Sequence, residues 1–221
     1  CALDSLSSFA HNDARDVLFQ SAKELGLFPS KEVRGLFQAG DGSRPDLMFP
    51  SLGGLARGTR GPGSPAARGL RLVADVEVSS PLCSTSLDGG SADVPLIAAL
   101  RAEEAKRRKY DAPVLAQGGE FLGLGFETTG AFGPGVRDLL TRMGKVAKER
   151  GLDSLDACSS SWSARSWMSR CRQRLSIAVA AGCARAVIEG AHRSASDPHL
   201  PLDSPALVRP QPGSLPLAPP P

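Results

Sequence analysis

The stretch Leu-Arg-Leu-Val-Ala-Asp-Val-Glu-Val, residues 70–78, decides the fold of the chain. Apolar residues at every second position, beginning with Leu70, predict a β-strand with one face in a hydrophobic core. The other face carries Arg71, Val73, Asp75 and Glu77. Side chains two positions apart on a strand project the same way, so the two carboxylates lie roughly 7 Å apart along the backbone. This strand can therefore serve a core and a polar site at once.

Periodicity and turn residues predict further elements on both sides of this strand. Asn12 or Asp13 can cap the first helix and Gly26 suits its end, while Asp93 is a plausible cap for the second. The predicted helices cover 12–25, 93–110, 136–147 (ended by Gly151) and about 162–189. Besides 70–78, strands are predicted over 112–117 and 120–127, and residues 45–49 are predicted to be a short strand or the approach to one. This order predicts a mixed α/β domain with helices packed on a central sheet.

Composition divides the chain into three parts. Residues 1–8 are interpreted as the remnant of a preceding segment, because the chain begins with Cys1, and residues 9–190 as the folded domain. Within that domain, residues 51–69 are rich in Gly, Pro and Arg and predict a flexible insertion. Nine prolines lie between 198 and 221, so residues 191–221 are predicted to be a disordered tail.

The overall composition is that of a globular protein, with 41% hydrophobic and 22% charged residues among 221. A net charge of +3 does not by itself indicate a nucleic-acid partner. Five cysteines without a CxxC pair argue against a disulfide framework and favour a reducing compartment. The chain has no run of 18 apolar residues and no signal-peptide pattern, so we expect no membrane partner.

Three elements stand out as candidates for chemistry: Arg44-Pro45-Asp46, then Asp75 and Glu77 on the strand, then four basic residues at 106–109 before Tyr110. Phosphodiester cleavage uses a divalent ion to activate water and to shield the phosphate. Mg²⁺ prefers oxygen ligands and takes few carboxylates, the rest being water and substrate. A nearby lysine can stabilise the developing charge. Two acids and a lysine are a sufficient minimal set, although periodicity alone does not bring them together.

Taken in order, these motifs resemble the restriction-enzyme-like endonuclease region, of the PD-(D/E)xK superfamily, found C-terminal to reverse transcriptase in non-LTR retrotransposon polyproteins. The resemblance spans roughly residues 9 to 190. The matching stretches are Glu32 to Phe37, Arg44-Pro45-Asp46, Ala74 to Pro81, Lys106 to Tyr110, Glu127 to Gly130 with Gly133, and the segment Trp162 to Glu189 with Arg172 to Leu175.

The resemblance implies a restriction-endonuclease-like core, with a central mixed sheet flanked by helices and with C-terminal helices. It implies a metal-dependent endonuclease that nicks target DNA, with Mg²⁺ (or Mn²⁺) held by Asp46 and Asp75. From its position on the strand, Glu77 is expected to face solvent, or alternatively to be a third carboxylate near the ion. Glu77 stands where the superfamily normally has its lysine. In the retrotransposon group the lysine comes from a helix instead, and both Lys106 and Lys109 match it. DNA, the reverse transcriptase portion of the same polyprotein and a nuclear location are implied as well.

Other interpretations of the same residues stay open. Arg44-Pro45-Asp46 alone is an ordinary turn, and Asp75 could face solvent on an edge strand. The basic run is typical of a solvated helix end, where Arg107, Arg108 and Lys109 could also contact backbone phosphates. The three histidines show no metal-ligand spacing. A decayed or repurposed fragment that binds nucleic acid without cleavage is therefore an alternative function, and an interaction module using the Pro-rich tail is a third.

Overall fold

A computed structural model of the chain describes residues 4–32, 44–52, 70–154 and 164–195. Most of the predicted insertion, residues 53–69, and the Pro-rich segment from 196 onward lie outside these ranges, as do Cys1 and Trp162. The elements in the described ranges are, in order, α1 (Asp4–Glu24), β1 (Ser30–Lys31), β2 (Leu47–Phe49), β3 (Leu72–Ser79), α2 (Ser84–Leu87), α3 (Ile97–Ala116), β4 (Glu120–Glu127), α4 (Pro134–Glu149) and α5 (Trp167–Ala195).

The four strands form one mixed sheet in the order β1-β2-β3-β4. β1 pairs with β2 and β2 with β3 in antiparallel fashion, whereas β3 and β4 are parallel, with α3 in the connection between them. The register places Asp75 beside Gly123 and Glu77 beside Gly125. The predicted α/β class, a central mixed sheet flanked by helices, is confirmed.

β3 has the two faces that its sequence predicts. Leu72, Ala74, Val76 and Val78 are buried in the main core, which α1, α4 and α5 complete. Val73, on the opposite face, belongs to a second cluster that faces α3. Because successive side chains of a strand alternate between its faces, Asp75 and Glu77 lie on this second side.

α1 begins at Asp4 and ends at Glu24, so the prediction that it starts near residue 12 was wrong. Asn12 and Asp13 lie inside the helix and do not cap it. Packing of α1 on α5 accounts for the earlier start: a Cβ atom on Gly182 of α5 would come within 2.4 Å of the Cα of Ala10. Residues 4–8, interpreted from sequence as a remnant, therefore belong to this helix. The predicted end is confirmed, because Gly26 follows with a φ of +66°.

α3 differs most from its prediction. It begins at Ile97, so Asp93 is not its cap, and it continues to Ala116, so the strand predicted over 112–117 was wrong. The cause is packing at helical spacing: Tyr110 and Val114, four residues apart, both pack against Phe121 of β4. Pro113 lies inside this helix.

The C-terminal part of the domain follows its prediction more closely. β4 has the predicted bounds, and α4 is followed by Gly151, whose φ is +69°. α5 confirms the long helix and extends to Ala195, but it starts at Trp167, and the described residues 164–166 before it are not helical, so the predicted start near residue 162 was wrong. Its buried stripe consists of Trp167, Cys171, Leu175 and Val179, and it packs on α1.

One helix in the described part of the chain is long and apolar enough to cross a membrane. It is α5 over Trp167–His192, with a mean hydropathy of 1.2, and 22% of that stretch is buried. Core helices of soluble proteins share this length and composition, and the buried stripe of α5 packs on α1. Length and composition alone therefore assign α5 to neither environment.

α3 approaches β4 so closely that only glycine fits beneath it. A Cβ atom on Gly125 would lie 2.5 Å from the carbonyl oxygen of Ala99. We expect Gly125→Ala to lower the free energy of unfolding by about 1–3 kcal/mol, because a backbone carbonyl cannot move aside as a flexible side chain can. Urea denaturation measures the effect. Gly190→Ala in α5 is the matched control, since nothing lies within 4 Å of its Cβ position; equal stability of the two variants would contradict this account.

Candidate functional site

Asp46 and Asp75 lie side by side on neighbouring strands. The antiparallel register that pairs Leu47 with Ala74 brings Asp46, just before β2, next to Asp75 in β3. The backbone N–H of Asp46 donates to Oδ1 of Asp75 at 3.2 Å, and Oδ2 of Asp46 accepts the N–H of Val76 at 2.8 Å. Both residues are buried, at 7% and 3% exposure. These two carboxylates are called the acidic pair below.

Lys106 of α3 contacts Asp75 of the acidic pair from the side of the sheet on which α3 packs. Its Nζ lies 2.7 Å from Oδ2 of Asp75 and 3.0 Å from Oε2 of Glu77. Lys109 takes a different position, with its Nζ 4.8 Å from the centre of the Tyr110 ring. Of the two lysines that the sequence left open, Lys106 is the one that contacts the acids. Three stretches that were separate in the sequence thus meet at one place.

His11 completes this cluster, and sequence reasoning assigned it no role. Its Nε2 lies 3.0 Å from Oδ1 of Asp46, across 35 positions of the chain. The spacing of the three histidines gave no metal-ligand pattern, and the prediction placed His11 outside the first helix. The available signal was local: His11 directly follows Ala10, which belongs to the buried stripe of α1.

The ionisation of the cluster follows from burial and from mutual charge. Burial, and then the charge of Asp46, raise the pKa of Asp75 to about 6, against the opposing effect of Lys106. Burial alone would raise the pKa of Asp46, but the hydrogen bond and charge of His11 outweigh it and hold this pKa below its usual value. Burial would likewise lower the pKa values of His11 and Lys106, but their acidic partners outweigh it and raise both. The acids therefore favour the charged forms of both His11 and Lys106.

A further buried acid, Glu103, fixes the position of α3. Its carboxylate accepts the backbone N–H of Gly125 in β4 at 3.0 Å and that of Gly135 at the start of α4, also at 3.0 Å. Burial raises the pKa of Glu103, although these N–H groups oppose the shift. Glu103 precedes Lys106 by one helical turn, so this anchor also sets where Lys106 points. Sequence reasoning missed it, since a glutamate in a charged helix gives no signal of burial.

The remaining basic residues of the run have nearby partners. Arg107 and Arg108 both pair with Glu104, at 3.1 and 3.8 Å, and all three side chains are more than half exposed. Glu104 therefore offsets part of the positive charge of the basic run, which was predicted from the sequence as a possible contact for backbone phosphates. Such exposed pairs contribute little to stability.

Carboxylate oxygens are the ligands that Mg²⁺ prefers. Among residues 4–32, 44–52, 70–154 and 164–195, no group of three or more His, Cys, Asp and Glu side chains suited to hold a metal ion is found. Glu77, predicted as a third carboxylate near the ion, directs its carboxylate to Lys106.

Comparison of the chain with models of known families, with curated proteins and with solved structures finds no match. The interpretation of this site therefore rests on the chemistry of its own residues.

The raised pKa of Asp75 predicts a pH-dependent stability. Because the folded-state pKa of about 6 exceeds the usual 3.8, the folded chain holds this proton more tightly, and that stabilisation is lost as pH rises from about 4 through 6. Asp75→Asn removes the titration but keeps an acceptor for the N–H of Asp46. We expect its free energy of unfolding, relative to the native chain, to rise by roughly 2–3 kcal/mol between pH 4 and 7.

Urea denaturation in EDTA at a series of pH values measures this difference. Asp88→Asn, a substitution of the same kind at an exposed position, is the control. A difference between Asp75→Asn and the native chain that stays constant over this range would show that Asp75 ionises in the fold as it does in the unfolded chain.

Proposed function

We propose that the chain is a metal-dependent DNA endonuclease that nicks DNA by phosphodiester hydrolysis. The observation that carries this proposal is the meeting of Asp46, Asp75 and Lys106 within hydrogen-bonding distance. These residues come from three separate stretches, and they are the ones that the resemblance to restriction-enzyme-like endonucleases selects. A turn or a solvated helix end, the plain interpretation of each stretch alone, gives no reason for them to meet.

The fold is compatible with this proposal. The resemblance implies a central mixed sheet flanked by helices, with further helices at the C-terminal end, and the chain has this arrangement. Within it, the acids lie on β3 and next to β2 in the sheet, while the lysine comes from a flanking helix. We infer a restriction-endonuclease-like core on these grounds.

The donor chemistry of the acidic pair suits a divalent cation. Mg²⁺ in sites that bind phosphates uses one or two carboxylates, completed by water and substrate oxygens, so Asp46 and Asp75 are a sufficient set. Each carboxylate oxygen has two lone pairs, so the hydrogen bonds already present leave room for a further contact. Burial first, and then the charge of Asp46, raise the pKa of Asp75, and a positive ion bound beside it would offset both effects. When bound, Mg²⁺ or Mn²⁺ would activate water and shield the phosphate.

The other residues have complementary roles in this proposal. Lys106 stays protonated at neutral pH, because Asp75 raises its pKa, so it acts as a hydrogen-bond donor to the phosphate and not as a general base. His11 is a positioning residue that orients the carboxylate of Asp46. Glu77 holds Lys106 from its second side. The partners that the resemblance implies are DNA and the reverse transcriptase portion of a polyprotein, in the nucleus.

A plasmid-nicking assay with Mg²⁺, Mn²⁺ or EDTA tests the proposal. We expect Asp75→Asn to reduce metal-dependent nicking by about 1,000-fold, because the bound ion contributes several kcal/mol of transition-state stabilisation. The stability of this variant relative to the native chain is expected to rise towards neutral pH, and circular dichroism checks that it is folded where activity is measured.

Lys106→Gln and Lys109→Gln form a matched pair of variants on the same helix. We expect the first to reduce nicking by roughly 100-fold and the second to change it only a few-fold, since Lys106 contacts the acids and Lys109 lies against Tyr110. Circular dichroism checks that each variant is folded. Nicking that survives in Asp75→Asn, or a larger reduction in Lys109→Gln than in Lys106→Gln, would reject the assignment of these residues.

A second candidate function is nucleic-acid binding without cleavage. One observation favours it: every acid of the cluster already has a cationic partner, Asp46 with His11 and both Asp75 and Glu77 with Lys106. Such a closed set of ion pairs could serve only to hold α1 and α3 on the sheet. Binding would then depend on Arg107, Arg108 and Lys109.

The salt dependence of DNA binding in EDTA tests this second candidate. Replacing Arg107, Arg108 and Lys109 by Gln is expected to reduce the slope of log K against log salt by about one for each phosphate that these side chains bind. The control replaces three exposed basic residues elsewhere, Lys145, Lys148 and Arg172. If DNA binding is unchanged when Arg107, Arg108 and Lys109 are replaced, or falls equally in the control variant, these three residues do not form a specific DNA-binding surface.

A further inference from the structure

A cavity of about 420 Å³ opens at the C-terminal end of β3, beside the acidic site. Its walls come from the end of β3, from the turn into α2 and from the first turns of α3. Glu77 lines it on one side and contacts Lys106 of the acidic site, so the two sites share this residue. Cavities of about 300–1,000 Å³ hold small ligands or parts of larger ones.

Arg101 supplies the positive charge of this cavity. Its guanidinium donates from Nη1 to the carbonyl oxygen of Thr85, at the long distance of 3.5 Å, which leaves most of its five N–H donors for other partners. The side chain lies over Gly89, where a Cβ atom would come within 1.5 Å of Nη1. The absence of a side chain at Gly89 therefore leaves the space that Arg101 occupies.

Hydroxyl groups supply further donors. Ser79, Ser80 and Thr85 all line the cavity. The Oγ of Ser80 accepts the backbone N–H of Leu82 at 3.3 Å, so its own hydrogen remains able to donate. Among the described residues that line the cavity, Arg101 and Glu77 are the charged ones, and Lys106 offsets the charge of Glu77. A guanidinium with neighbouring hydroxyls suits a phosphate group.

We propose that this cavity binds a backbone phosphate of the DNA strand on which the acidic pair acts, with Arg101 and the hydroxyls of Ser79 and Ser80 as donors. This inference rests on the proposed function and adds to it a second contact with the substrate. Ser79 follows Asp75 by four residues of β3, a rise of about 13 Å. One DNA strand has a phosphate about every 3.4 Å of duplex rise, so the bound phosphate lies within about four nucleotides of the cleaved one.

The lining favours the sugar–phosphate backbone over a base. Proteins that hold single bases stack them on aromatic side chains, and none of the described residues that line this cavity is aromatic. Of the β3 residues at its wall, Glu77 and Ser79 continue the same face of the strand as Asp75. The DNA strand would therefore run along this face of β3, with its phosphates in contact with the protein.

Cys83, at the cavity wall, provides a readout that does not depend on cleavage. Its Sγ lies within hydrogen-bonding distance of the hydroxyls of Ser86 and Thr85, and these contacts lower the pKa of the thiol, which favours reaction with alkylating reagents. The experiment measures the rate of N-ethylmaleimide modification of Cys83 in the native full chain in EDTA, with and without a saturating double-stranded oligonucleotide. Peptide mass spectrometry follows Cys83, and Cys183 of α5 serves as the reference outside the cavity.

We expect bound oligonucleotide to slow the modification of Cys83 about ten-fold and to leave Cys183 unchanged. Arg101→Gln should abolish this protection and reduce the slope of log K against log salt by about one. Gly89→Ala keeps the charge but displaces the guanidinium, and should reduce the protection as well. Arg172→Gln, which removes one exposed charge on α5, should leave the protection intact.

Three results would overturn the inference. The first is DNA bound at saturation, as judged by fluorescence anisotropy, with an unchanged rate at Cys83. The second is equal protection in Arg101→Gln and in the native chain. The third is protection by inorganic phosphate without protection by the oligonucleotide, which would assign the cavity to a free phosphate. Protection in EDTA with no nicking in Mg²⁺ or Mn²⁺ would instead reject the nuclease and retain the cavity as a phosphate site.

Discussion

The structure depends on the burial of two carboxylates beside each other. Asp46 and Asp75 are brought together by the β2–β3 register, and in a buried setting neither charge is tolerated without compensation. His11 compensates the first and Lys106 the second, and these cations come from helices on opposite sides of the sheet. The electrostatic requirement of the acidic pair thus ties α1 and α3 to the strands between them. The raised pKa of Asp75 shows that burial of its charge carries a cost in stability.

α3 carries out several of these tasks at once. Glu103 accepts backbone N–H groups from β4 and from the start of α4, and one turn later Lys106 reaches the acidic pair. The glycines of β4 beneath it, Gly123 and Gly125, allow the close approach on which both contacts depend. Further along, Tyr110 and Val114 pack on the same strand. The orientation of the helix about its own axis is therefore fixed by packing, and this orientation selects one lysine of the basic run over its neighbours.

The odd-numbered face of β3 links the acidic site to the cavity beside it. Asp75, Glu77 and Ser79 follow one another on this face. Asp75 is the buried acid, Glu77 both contacts Lys106 and lines the cavity, and Ser79 supplies a hydroxyl to the cavity. A phosphate-rich polymer suits such a linear arrangement better than a small molecule does, because its charges repeat at a regular spacing. The two proposals are thus physically connected, although each has its own readout. In both proposals, side chains of β3 alternate between a face that packs in the core and a face that contacts the DNA.

The sequence by itself determined β3, because apolar residues at every second position over residues 70–78 are typical of a strand and not of a helix. The same alternation placed Asp75 and Glu77 on one face. The sequence also determined β4 and the ends of α1 and α4, since Gly26 and Gly151 adopt the left-handed backbone that stops a helix. Only the tertiary structure decided the start of α1, the continuation of α3 through 112–116, and the roles of His11, Glu103 and Lys106. Each of these depends on contacts between residues far apart in the chain, and local periodicity carries no information about which distant surface a helix will meet.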